Sequence, residues 1–140
     1  MACKIPEVNE KFKVQSSKVK DNQKFVVEFK RRLYGFTLVL LKLIDTLPHN
    51  NVSRRLGDQL LRSGTSILAN FVEGQSGSSK KDFINYMQIS LKSSNETKMW
   101  LSLLKDSRKA KSNDVEPLLA EATEFSKILA SIVLTAKGKR

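Results

Sequence analysis

The sequence predicts an all-α fold: an antiparallel up-down-up-down four-helix bundle with a basic N-terminal extension. Three observations carry this. Apolar residues recur at spacings of three and four along four separate stretches. Proline and glycine number only 3 and 6 in 140 residues, too few for a turn-rich β fold. No stretch alternates apolar and polar residues as a half-buried strand does.

Residues 1–20 are polar and basic, with Lys4, Lys11, Lys13, Lys18 and Lys20. Phe12, Val14 and Val19 are too sparse to anchor this segment, so it reads as a mobile or loosely docked arm. The bundle is expected over 21–137, followed by a basic tail at 138–140. Asp21 or Asn22 is a good N-cap for the first helix. Phe25, Phe29, Leu33, Phe36, Leu40, Leu43 and Leu47 give it one apolar face, and Pro48, His49, Asn50 and Asn51 end it.

Ser53 is a candidate cap for the second helix. Leu56, Leu60, Gly64, Ile67 and Phe71 form its stripe, which Leu61, Leu68 and Val72 widen. Arg55, Gln59, Arg62, Ser66, Asn70 and Glu73 form a separate polar stripe, and Gly74 is a natural stop. Ser79, with Asp82 three residues on, resembles a capping box that opens the third helix. That helix is expected to reach about Lys109. Its main face is Phe83, Met87, Ser90, Leu91, Ser94, Thr97, Leu101 and Leu104, and the small residues in the middle invite close helix approach.

Ile89, Trp100 and Leu103 point roughly 100–160° away from that face. A helix with two apolar faces needs two partners, so these three residues are the expected oligomer interface. A basic connection, Lys105–Asn113, leads to the fourth helix. Asn113 or Asp114 caps it, and Pro117 fits its first turn. Leu118, Ala122, Phe125, Leu129, Ile132 and Ala136 form its buried face. Lys137, Gly138, Lys139 and Arg140 close it with a charge that suits the helix dipole.

The formal net charge is +11 and the pI about 9.9. Such an excess favours polyanions: RNA, DNA or an acidic protein surface. Cys3 is the only cysteine, so no internal disulfide forms, as in a reducing compartment; the expected location is cytoplasmic. The first residues are interrupted by Lys4, Pro6, Glu7 and Lys11, unlike a signal peptide. The most apolar stretch, Phe36–Ile44, is far shorter than the ~18 residues of a membrane span.

No catalytic constellation is visible. His49 is the only histidine and lies in a turn, and with Cys3 it makes too few ligands for a histidine–cysteine metal site. No Glu-x-x-His pattern supports a di-iron bundle; Glu73 and Glu96 could face each other, but a paired or capping role is the one expected of them. The segment Gly74–Lys81 lacks phosphate-loop spacing. No cofactor, no metal and no enzymatic activity are expected. The start of the third helix, with Ser78, Ser79, Lys80 and Lys81, reads either as a phosphate-holding helix end or as an ordinary cap. Candidate phosphate contacts are Arg54, Arg55, Lys80, Lys81, Lys105, Arg108, Lys109 and Lys111. They imply backbone binding with little sequence readout.

The spaced motif Gln59, Arg62, Ser66, Ile67, Asn70, Glu73 and Gly74 resembles the hallmark of the four-helix-bundle family of 23S rRNA-intervening-sequence proteins. Ser79, Lys80, Asp82 and Phe83, then Ser93 and Glu96, are similar to that family's later segments. Lys92 stands where the family usually has glycine. The resemblance spans about residues 25–135. It implies an antiparallel bundle that assembles into a ring, commonly a homopentamer. A related branch is the accessory variability determinant (Avd) of diversity-generating retroelements. It implies nucleic acid and a reverse transcriptase as partners. Arg62, Ser66, Asn70 and Glu73 are expected to form a buried or subunit-bridging polar network rather than a ligand site. The function expected is a non-catalytic oligomeric accessory protein that binds nucleic acid, RNA foremost, and assists a reverse transcriptase. The alternative is a protein-interaction scaffold with no nucleic-acid role.

Overall fold

The computed structural model describes residues 17–139, which form α1 (Ser17–Asp45), α2 (Asn51–Gln75), α3 (Lys80–Asp106) and α4 (Ser112–Ala136). No strand occurs among the described residues. Residues 1–16 of the expected arm, and residue 140 of the tail, lie outside them. Ser17–Lys20 belong to α1, which starts ahead of Asp21 and Asn22. Nothing in that stretch breaks a helix, and extending an already packed helix by a turn costs little.

The caps differ from expectation in two places. Asn50, not Ser53, caps α2: its backbone is extended and its side-chain oxygen accepts from Ser53 N at 2.9 Å. Ser53 is instead buried in the first turn. The helix runs one residue past Gly74, to Gln75. Lys111 occupies the N-cap of α4 and makes no side-chain cap bond. Asp114 falls in the first turn, where its charge favours the positive helix end. Pro117 consequently lies in the second turn, at an exposed site where losing one backbone donor is tolerable. Ser79 does cap α3, its Oγ accepting from Asp82 N at 3.1 Å.

Neighbouring helices in sequence are neighbours in space, and α1 closes the ring on α4. This is the up-down-up-down order that short connections favour. The core runs the length of the bundle through Leu33, Leu40, Leu60, Ile67, Met87, Leu101, Leu104, Phe125 and Leu129, all buried. Phe29 packs edge-on against Phe71 and Phe125, with centroids at 5.0 and 5.7 Å, which ties α1 to both of its neighbours. Gly64 lets α2 meet α1, because a Cβ there would collide with the Leu40 side chain.

Helix α3 is held differently. Towards α2, Thr97 Oγ1 donates to Ser63 Oγ (3.0 Å), Ser93 Oγ to Ser66 Oγ (3.0 Å) and Ser90 Oγ to the Ile67 carbonyl (2.8 Å). Towards α4, Ser94 Oγ donates to the Ala122 carbonyl (3.0 Å) and lies 2.9 Å from Ser126 Oγ. Ser126 Oγ in turn donates to Asn95 Oδ1 at 2.9 Å. These small side chains bring the backbones close and satisfy one another, so the interior carries hydroxyls at little cost. The expected close approach at the middle of α3 therefore occurs on two sides. Lys92 is exposed, so the residue that departs from the family pattern faces away from both seams.

Candidate nucleic-acid interface

The hydroxyl seam fixes the register of α2 against α3. Ser63 lies level with Thr97 and Ser66 with Ser93. Counting back along α2 and forward along α3 brings Arg54 and Arg55 level with Lys105 and Asp106. The α1–α2 and α3–α4 turns share this end of the bundle. It therefore gathers Arg54, Arg55, Lys105, Arg108, Lys109 and Lys111. Lys80 and Lys81 open α3 at the opposite end, roughly 40 Å away over 27 residues. The eight predicted phosphate contacts thus form two groups, not one surface.

Within the turn-end group the cations differ in availability. Lys105 Nζ donates to Glu116 Oε1 at 2.7 Å, and this partner raises the lysine's pKa above its usual value. Arg55 Nε donates to Asn51 Oδ1 at 3.2 Å. Arg54, Arg108, Lys109 and Lys111 make no ion pair or side-chain hydrogen bond among the described residues. Arg54, Arg55, Arg108 and Lys111 are exposed, and Lys109 is half-buried.

Arg108 has φ 61°, the only non-glycine residue with positive φ among those described. It follows the C-cap Ser107. Its N–H bonds the Lys105 carbonyl, and Lys109 N–H bonds the Leu104 carbonyl, both at 3.0 Å. This is a Schellman closure, which favours glycine at the left-handed position. The end of α4 shows the same bonds with Gly138 in that place, at φ 73°. The chain thus places glycine at one closure and arginine at the other. Arg108→Gly should raise stability by about 0.5–1 kcal/mol, since left-handed strain disappears while unfolded-state entropy offsets part of the gain. A urea midpoint measured against the parent checks this.

The start of α3 is built as a cap rather than a phosphate cradle. Ser79 is occupied with Asp82 N, and Ser78 Oγ donates to Asp82 Oδ2 at 2.8 Å. Asp82 puts a negative charge in the first turn of the helix. Lys80 and Lys81 are exposed beside it, with no partner among the described residues.

The motif Arg62, Ser66, Asn70 and Glu73 divides into two networks. Arg62 donates to Gln59 Oε1 through Nε (3.0 Å) and Nη2 (2.9 Å), and also to Glu96. Glu96 Oε2 accepts the Trp100 indole N–H at 2.8 Å. The Trp100 bond, followed by Arg62, lowers the Glu96 pKa below the usual carboxylate value. Asn70 Nδ2 donates to Ser66 Oγ (2.8 Å) and to the Ser66 carbonyl (2.9 Å), and Ser66 accepts from Ser93. Glu73 is exposed and joins neither network, so it does not face Glu96.

Of the second apolar face, Ile89 is 38% and Leu103 45% exposed, whereas Trp100 is half-buried against the core beside α2. Met99, 48% exposed, extends this face beyond the three residues that periodicity picks out. A further apolar surface lies on α1, where Leu38 and Leu41 are 47% and 37% exposed. The signal for it was the unbroken run Leu38–Leu41, since one helix face cannot bury four consecutive residues.

No group of His, Cys, Asp and Glu among the described residues is placed to hold a metal ion. None of the described helices is long and apolar enough to cross a membrane. A family model for 23S rRNA-intervening sequence proteins matches residues 27–131, which include the whole polar motif and both turns of the basic end. The chain belongs to that family. A crystal structure from Bacteroides thetaiotaomicron, of a protein with unknown function from the S23 ribosomal protein family, is 36% identical with a TM-score of 0.70. The match covers 74% of this chain and 96% of that one. No curated protein matches. In this member of the 23S rRNA-intervening sequence family, the polar motif serves helix–helix packing at Ser66, which accepts from Ser93 of α3. Its Arg62 position joins an outward-facing network.

Proposed function

We propose that the chain is a non-catalytic, self-assembling accessory protein that grips the sugar–phosphate backbone of nucleic acid, RNA foremost, at its turn end. Arg108 is the observation that carries this reading. A cation sits in a left-handed conformation that glycine fills at the end of α4, beside Lys109 and Lys111. Backbone strain retained at a charged, exposed residue points to a ligand for that charge. Arg54 and Arg55 bring two more cations to the same end, and among the described residues only Lys105 is engaged by a carboxylate there. Such a surface reads phosphates rather than bases.

Binding of a fluorescent mixed-sequence single-stranded RNA, titrated against salt, tests this. Five contacts predict a slope of log affinity on log salt of about −3.5. Binding that ignores salt, or no binding at low salt, defeats the reading. RNA-independent capture of a protein partner would favour the scaffold alternative. The resemblance to the accessory variability determinant implies a reverse transcriptase as partner enzyme, and co-purification with such an enzyme tests that point separately.

Assembly raises the grip through avidity. The apolar residues Leu38 and Leu41 on α1, and Ile89, Met99 and Leu103 on α3, lie on helices diagonal in the bundle. Two different faces on opposite sides suit head-to-tail contacts, which close into a ring; the family resemblance suggests five subunits. Leu38→Glu and Leu103→Glu should each give monomers by light scattering. An equimolar mixture should give a dimer, because each variant keeps the face the other has lost. Unchanged assembly in both variants would remove this interface.

A further inference from the structure

The turn end holds a small cleft of about 170 Å³ between the end of α1 and the start of α2. Leu47, Ser53 and Gly57, all buried, form its inner part. Asp45, His49, Arg54 and Asp58, all exposed, surround it. Among the described residues, Ser53 Oγ is the only buried side-chain polar atom without a hydrogen-bond partner. The buried hydroxyls of Ser63, Ser90 and Thr97 all have one. A buried hydroxyl in a native fold is nearly always satisfied, and the space against which Ser53 lies is this cleft. Gly57 keeps that space open. A Cβ there would stand 3.2 Å from Leu47 Cδ1 and 3.6 Å from Ile44 Cγ2, and both side chains line the cleft.

The chemistry around the cleft selects its occupant. The chain carries a net charge of +11, yet two carboxylates, Asp45 and Asp58, line this cleft. Neither makes an ion pair or side-chain hydrogen bond among the described residues. Two carboxylates beside one arginine disfavour a phosphate and accept N–H donors. The volume falls below the ~300–1,000 Å³ of sites for drug-sized ligands and suits a single flat ring system. Ile44, Leu47 and Pro48 give such a ring apolar walls. We propose that the cleft takes one unstacked guanine of a single-stranded RNA, read on its Watson–Crick edge. The carboxylates of Asp45 and Asp58 accept from its N1–H and 2-amino group, and Ser53 Oγ donates to its O6. Adenine fits worse, because its N1 is an acceptor and would face a carboxylate. Arg54 follows Ser53 in sequence and holds the flanking phosphate, so the inference rests on backbone binding at the turn end. It adds one base-specific contact to a surface that otherwise reads phosphates.

The full chain tests this with uridine octamers that carry one central guanosine, inosine, adenosine or no purine. The guanosine octamer should bind about tenfold tighter than oligouridine, as one good two-bond base contact provides. Inosine, which lacks the 2-amino group, and adenosine should lose most of that preference. Asp45→Asn together with Asp58→Asn should erase it, and Ser53→Ala should lower it severalfold. Equal affinity for all these octamers, falling as salt rises, would overturn the guanine site and leave the backbone reading intact. A preference that survives in both variants would overturn it too. If no octamer binds, the backbone reading fails, and guanosine alone decides the cleft. Shifts of the Ser53 and Gly57 amides that the paired Asp substitutions abolish would support the site, and no shifts would overturn it. The same shifts from N-acetyl-arginine amide but not from guanosine would assign the cleft to a protein's arginine and contradict the proposal.

Discussion

Phe125→Ala is expected to lower stability by about 3–5 kcal/mol. Phe125 is fully buried at the point where three groups converge. Its ring meets Phe29 and Phe36 edge-on, with centroids at 5.7 and 5.2 Å. The Arg32 guanidinium lies 5.4 Å above the ring while it also binds Glu121 across α1 and α4. Truncation removes the aromatic packing, leaves a cavity the bundle cannot close, and loosens the arginine. A domain with the usual ~5–15 kcal/mol would lose a large share of it. Phe25→Ala is the control, and its cost should be far smaller, because that ring is 40% exposed. Urea unfolding of the two variants against the parent checks the difference.

Reversing charge at Arg54, Arg55, Arg108 and Lys109 together, each to Glu, should weaken RNA binding on the order of 100- to 1000-fold at low salt. The basis is about 1 kcal/mol for each phosphate interaction removed, with added repulsion from the new carboxylates. None of the four lies in the core, so the fold should survive, as circular dichroism would show. Lys80→Glu with Lys81→Glu alters the opposite end, where the Asp82 carboxylate already sits against the helix start, and should cost less than about tenfold. Equal losses in both variants would mean that charge acts through the whole molecule rather than through one end.

The bundle was legible because each helix keeps a core stripe at helical spacing, and Phe29, Leu40, Ile67, Leu101 and Leu129 lie where that spacing puts them. The caps were less legible. Asn50 and Ser53 are both good capping residues, and only the backbone angle at Asn50 decides between them. The division of the basic residues was also hidden. Periodicity places residues around a helix, but the hydroxyl register of α2 on α3 decides that Arg54 meets Lys105 and that Lys80 does not. Lys105 is engaged by Glu116 across the α3–α4 turn, a pairing that follows from where α3 ends. That end lies at Asp106 rather than near Lys109, because the chain closes there through an arginine that carries no sequence mark of a left-handed turn. Glu73 shared a helical stripe with Arg62 and Asn70, yet its position near the end of α2 takes it past the level of Glu96.

Backbone amide shifts recorded while a short single-stranded RNA is added report most directly whether phosphates are held where the free cations gather. Perturbations should concentrate at Asn51–Asp58 and at Lys105–Ser112, and should fade as salt rises. Shifts confined to the Ser78–Asn85 stretch, or none at any salt, would contradict the assignment of the interface to the turn end.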